Sequence, residues 1–182
     1  MTESSATVIY LLVGPKGAGK TYLGVRMERE LGMTFVRVEP IWLQVAREIG
    51  ADAPDFDECG QQRVLDAIQI ELPQGFSIVL ESTGTAPWFG VFLAKLGQLA
   101  EVRPVRVTAP AELCIDRVRT RDRSQHIAVS DDDVALINRI AAGVELPWYY
   151  EVENGTPSDA SRFIERLRQG GDPDTEVETR SR

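Results

Sequence analysis

The segment Val8-Ile9-Tyr10-Leu11-Leu12-Val13-Gly14-Pro15-Lys16-Gly17-Ala18-Gly19-Lys20-Thr21 constrains this chain more than any other. An apolar, β-prone run leads into Gly-x-x-x-x-Gly-Lys-Thr, and an amphipathic run follows. That is the phosphate-binding P-loop in its strand–loop–helix setting. Its spacing follows from chemistry. Glycines let the backbone turn without a Cβ in the way, so successive N–H groups can point at phosphate oxygens. The helix that starts near Lys20 adds its positive end. Lys20 supplies a point charge for the outer phosphates, and the Thr21 hydroxyl suits Mg²⁺. Gly14, Pro15, Lys16, Gly17, Ala18, Gly19, Lys20 and Thr21 are therefore the expected binding site for a nucleoside triphosphate, with Lys16 the variable member.

Composition narrows the partners. The net charge of −8 argues against nucleic acid as the main ligand. No apolar run approaches the roughly 20 residues that span a bilayer, so no membrane partner is expected. The start, Met-Thr-Glu-Ser-Ser, lacks the basic region of a signal peptide. Cys59 and Cys114 stand apart without metal spacing and read as reduced thiols, which gives a cytoplasmic expectation. His126 is the only histidine, which argues against a His-based metal site or a Ser–His triad. Nothing in the sequence sets the oligomeric state.

Strands alternate with helices along the chain. The patterns predict strands at 7–13, 34–38, 77–80, 102–108 and 148–152. Helices are expected at about 20–31, 41–49, 61–72, 87–99, 110 onward, 131–142 and 157–169. Residues 51–60 read as acidic and irregular, and Ser130 and Thr156 as helix caps. This order predicts a five-stranded parallel sheet sandwiched by helices, an α/β fold of the P-loop NTPase class. One domain is expected over 1–171, with a lid segment at about 117–130 and a disordered tail at 172–182. Ligands in such sheets lie at the carboxyl ends of the strands.

Two acids are expected there. Glu81 ends the third strand, the place of a Mg²⁺-organising carboxylate. Glu39 ends the second and suits proton acceptance from an acceptor hydroxyl. Ser82-Thr83-Gly84-Thr85 is a small polar loop of the kind that borders a ligand. Arg117, Arg119, Arg121 and Arg123 form a guanidinium run able to neutralise charge during phosphoryl transfer, and Arg139 can point at the same phosphates. The alternative for these arginines is a solvated helix face paired with Asp116 and Asp122. Arg63 either holds an anionic acceptor or is ordinary surface. The three tryptophans read first as core, although Trp42 and Trp88 follow the acidic strand ends, where one can wall an acceptor pocket.

Taken together, these features resemble the small-molecule P-loop kinases of the adenylate kinase fold, nearest the shikimate and gluconate kinase branch. The likeness covers nearly all of residues 7–169. It rests on the P-loop, on Asp116-Arg117-x-x-x-Arg121, and on Asn154-Gly155-Thr156-Pro157, which is similar to the family's adenine-side loop. The resemblance implies ATP with Mg²⁺, adenine contact from Arg117 and Pro157, and phosphate contact from Arg121 or Arg123. Departures bear on the acceptor. The segments after the second and third strands lack the arginines that nucleoside monophosphate kinases place there. A single Glu39 stands for the Asp-x-Asp of shikimate kinases, Arg63-x-x-Asp66 for Arg-x-x-Glu, and Ser82-Thr83-Gly84 for the triple glycine. The expected activity is phosphoryl transfer to a small hydroxylated metabolite, shikimate kinase-like, with Glu39, Arg63, Thr83 and Gly84 at the acceptor. Alternatives are a nucleoside or nucleotide kinase and an ATP-binding regulatory NTPase with no small-molecule acceptor.

Overall fold

A computed structural model describes residues 7–120 and 130–169. The expected lid residues Arg121 and Arg123, His126, and the tail at 172–182 lie outside them. Five parallel strands form one sheet in the order β2-β3-β1-β4-β5. They are β1 (Val8–Val13), β2 (Thr34–Phe35), β3 (Ile78–Ser82), β4 (Glu101–Thr108) and β5 (Tyr150–Glu153). The helices between and after them are α1 (Lys20–Leu31), α2 (Val38–Ile49), α3 (Phe56–Glu71), α4 (Phe89–Leu99), α5 (Ala111–Thr120), α6 (Asp131–Ala142) and α7 (Pro157–Arg168).

β1 is buried along its whole length because both of its faces are covered. Alternation along the strand divides the core in two. Val8, Tyr10 and Leu12 pack with Leu23 and Met27 of α1 and Phe163 and Ile164 of α7. Ile9, Leu11 and Val13 pack on the other side with Val64, Leu65 and Ile68 of α3 and Phe92 and Leu96 of α4. Each fully buried aliphatic side chain of this kind contributes about 1.5–3 kcal/mol. The parallel register sets Leu12 opposite Glu81 and Val13 opposite Ser82. The end of β3 is thereby fixed beside the start of the P-loop, where the Gly14 N–H donates to Ser82 O at 3.2 Å.

Helix ends follow local chemistry. Gly32 closes α1 in the left-handed region. The Ser130 hydroxyl accepts from the Asp133 N–H at 3.1 Å, and the Asp159 carboxylate accepts from the Thr156 N–H at 2.7 Å.

Two boundaries differ from the sequence reading. β2 ends at Phe35, and Glu39 lies in the first turn of α2 rather than at a strand end. β2 is an edge strand pairing with β3 through Thr34 and Phe35, so little holds 36–38 extended. An acid and a proline both suit a first helical turn. The second difference is in 51–60, where α3 starts at Phe56. Asp57 and Glu58 favour the positive end of that helix, while the Phe56 ring packs 5.3 Å from that of Trp42. Gly60, inside the helix, leaves room for Trp42, since a Cβ there would fall 2.1 Å from the indole.

Candidate active site

The P-loop opens into a cleft of about 510 Å³ at the carboxyl ends of the strands. One half is basic and polar, lined by Lys16, Gly17, Gly19, Lys20, Thr21 and Arg117. The Lys20 ammonium donates to Gly14 O at 2.8 Å and Pro15 O at 2.7 Å, which holds it over the loop. The Thr21 hydroxyl donates to Glu81 Oε2 at 2.8 Å. A hydroxyl and a carboxylate at that distance are hard oxygen donors of the kind Mg²⁺ takes alongside water and substrate phosphates. Among the described residues no group of three or more His, Cys, Asp or Glu could hold a metal by itself.

Side chains distant in sequence hold the loop in shape. The Asn138 carboxamide pairs with the peptide groups of Lys16, accepting from its N–H at 2.7 Å and donating to its carbonyl at 3.1 Å. Arg117 Nη1 donates to Gly17 O at 3.3 Å and Asn154 O at 3.1 Å. Asn154 Nδ2, buried, donates to Ala18 O at 2.9 Å and Gly19 O at 3.4 Å. With the two Lys20 bonds, every carbonyl from residue 14 to 19 accepts from a side chain. Gly17 and Gly19 take φ of +83° and +86°, and a Cβ on Gly17 would fall 2.1 Å from Cys114 O. Cys114 lies behind the loop, and burial pushes its thiol pKa up against the lowering pull of Arg117 and Lys20.

The other half of the cleft is apolar and acidic. Val38, Trp42, Phe56, Val64, Trp88 and Phe92 line it, and Glu39 and Asp57 supply its charge. The Trp42 and Trp88 rings stack with centroids 5.6 Å apart and planes 21° apart. Phe92 meets Trp88 edge-on at 5.9 Å. Ser82, Thr83 and Ala86 form the border next to Glu81.

The structure thus brings the P-loop, Thr21, Glu81, Glu39, Thr83 and Arg117 to one cleft. Other expected residues lie elsewhere. Arg63 is exposed on α3 and pairs with Glu48 of α2, its Nη1 donating at 3.2 Å, outside the cleft lining. That guanidinium, and then Gln44, holds the Glu48 carboxyl below the usual carboxylate range. Gly84, at φ +72°, packs where a Cβ would meet Val13 and Val144. Pro157 opens α7 outside the lining. Arg119 pairs with Asp131 at 2.9 Å, joining α5 to α6. Arg139 lines a second cavity behind the loop, together with Gly14 and Pro15.

Sequence reasoning missed Asn138, Asp57 and the duty of the Asn154 side chain. Asn154 was visible only as part of a loop motif, and Asn138 carried no local signal. Asp57 fell in a stretch read as irregular.

Comparison with known proteins bears on the fold and the family. The family model described as AAA domain matches residues 9–147. Shikimate kinase of Xanthomonas oryzae pv. oryzae is 30% identical over 146 residues, covering 78% of this chain and 77% of that one. A kinase-like protein of Chloroflexus aurantiacus superposes with a TM-score of 0.67 at 17% identity, over 91% of this chain and 98% of that one. Shikimate kinase of Bacteroides thetaiotaomicron superposes with a TM-score of 0.59 at 18% identity, over 91% and 98%. The chain belongs to the AAA-domain family of P-loop kinases, nearest the shikimate kinase branch.

Proposed function

We propose that this protein is an ATP- and Mg²⁺-dependent kinase of a small hydroxylated metabolite. The observation that carries the reading is the Thr21–Glu81 hydrogen bond in the same cleft as Lys20 and Glu39. That pair is the oxygen set expected to hold Mg²⁺, which when bound would neutralise charge on the transferring phosphate. Lys20 and the loop amides hold the phosphates. Arg117 sits at the cleft wall, while Arg121 and Arg123, outside the described residues, remain proposed phosphate contacts.

In this reaction the acceptor hydroxyl oxygen bonds to the γ-phosphorus and the bond from that phosphorus to the β,γ-bridging oxygen breaks. Glu39 takes the hydroxyl proton. The products are ADP and a phosphate monoester. An acceptor seated against the apolar half would displace water there, which favours transfer over hydrolysis.

The test is a coupled ADP-release assay over hydroxylated metabolites and nucleotides. Turnover with at least one alcohol is expected, falling about 100-fold or more in Lys20→Met, in line with the loss of a donor to transition-state charge. No turnover with any acceptor would remove the support for a kinase.

A further inference from the structure

We propose that the acceptor is an organic cation: an alcohol that also carries an ammonium group on a ring-sized apolar body. This rests on the kinase reading and names the substrate class of the same cleft.

Charge is divided unevenly between the two halves of the cleft. Among the described residues, the basic ones that line the cleft, Lys16, Lys20 and Arg117, belong to the P-loop half. Among the described residues the acceptor half contains none. Two described arginines of α3 and the start of α2 are paired elsewhere, Arg63 with Glu48 and Arg37 with Glu28 at 3.0 Å. A carboxylate or phosphate on the acceptor would meet Glu39 and Asp57 with no cation among the described residues of that half to offset them.

The carboxylates also divide by duty. Glu81 is taken by Thr21. Glu39 has the hydroxyl proton to accept. Asp57 has no part in phosphoryl transfer. Its place in the first turn of α3 favours that helix, yet Glu58 in the same turn and Asp55 before it can do the same without it. Those two acids can answer the helix dipole, and neither lines the cleft. Asp57 alone of the three does so, in a lining it shares with Phe56 and the stacked Trp42–Trp88 pair. Half-buried aromatic rings with a carboxylate at their rim recognise a cation through ring quadrupoles and charge together. The same rings cover the apolar body that carries it.

Three probes of one shape isolate the charge: 4-(hydroxymethyl)benzylamine, 4-methylbenzyl alcohol and 4-(hydroxymethyl)benzoate. Calorimetry with each is run on protein saturated with a non-hydrolysable ATP analogue and Mg²⁺, for the parent, Asp57→Asn and Asp57→Lys. In the parent the amine should bind at least about tenfold more tightly than the neutral alcohol, a difference near 1.4 kcal/mol, and the benzoate should bind weakest. Asp57→Asn should erase the amine's advantage while leaving the neutral alcohol and the nucleotide unchanged. Asp57→Lys should move the preference to the benzoate. Asp57 is exposed, so both variants should melt near the parent temperature. Equal binding of amine and neutral alcohol, preference for the benzoate in the parent, or no binding of any probe by nucleotide-loaded protein would overturn the cationic assignment and leave the kinase reading standing. Failure to bind the nucleotide at all would instead defeat the reading beneath it.

Discussion

Replacing Asn154 by alanine tests whether the P-loop is held in shape from outside. The side chain is 2% exposed and reaches Ala18 O at 2.9 Å and Gly19 O at 3.4 Å. Ala18 is itself fully buried, so its carbonyl would be left without that donor. An unsatisfied buried acceptor costs about 1–3 kcal/mol. Taking about 2 kcal/mol, a domain of this size loses roughly 4–8 °C in melting temperature. Nucleotide binding should suffer further. The side chain lies so close to Gly19 that a Cβ there would fall 2.2 Å from Nδ2. Without it, the left-handed turn that starts α1 loses its support. If ATP affinity falls tenfold, saturating nucleotide stabilises the variant by about 1.4 kcal/mol less than the parent, a further deficit of roughly 3–6 °C in its ligand-induced shift. Differential scanning calorimetry with and without ATP–Mg²⁺ reads both effects. Asn154→Asp, which places a carboxylate against the same carbonyls, should be worse than alanine. Should Asn154→Ala melt within about 1 °C of the parent and keep its full ATP shift, the loop does not depend on this clamp.

Other substitutions probe neighbouring contacts. Gly17→Ala puts a methyl 2.1 Å from Cys114 O on a backbone at φ +83°. It should abolish measurable ATP binding in equilibrium dialysis while leaving folded protein by circular dichroism. Gly60→Ala drives a Cβ into Trp42. It should shift tryptophan emission and raise acceptor KM, yet leave ATP affinity within about twofold, because the strain lies on the far half of the cleft. Titration gives a surface control. Arg26, then Arg29, holds the Glu30 carboxyl at about 2, below its ordinary 4.5. A depressed carboxylate stabilises the fold above 4.5 and loses that contribution as pH falls toward 2. The melting-temperature advantage of the parent over Glu30→Gln should therefore close across that window, and an advantage that persists below pH 2 would contradict the assignment.

Much of this was legible from residues alone because it is local. A buried apolar strand, a Gly-rich turn and Lys20-Thr21 at a helix start are set within a dozen residues. The caps at Ser130 and Thr156 need four each. Glu81 was readable because it ends an apolar run, and the run must be a central strand. Glu39 came to the right cleft by a different element, since pairing strength at the sheet edge, not local propensity, decides where β2 stops.

The sequence by itself determined that a polyphosphate cradle sits between strand and helix in a parallel α/β sheet, because those choices depend on neighbours along the chain. Only tertiary structure decided what holds the cradle and what faces it. Asn138 is 122 positions from Lys16, and Asn154 is 136 from Ala18. Their carboxamides matter only because α6 and the end of β5 pack against the loop. Arg63 turned to Glu48 and Asp57 to the cleft for the same reason: the packing of α2 on α3 fixes which face of each helix meets the cavity, and hydrophobic periodicity cannot state that for a charged residue.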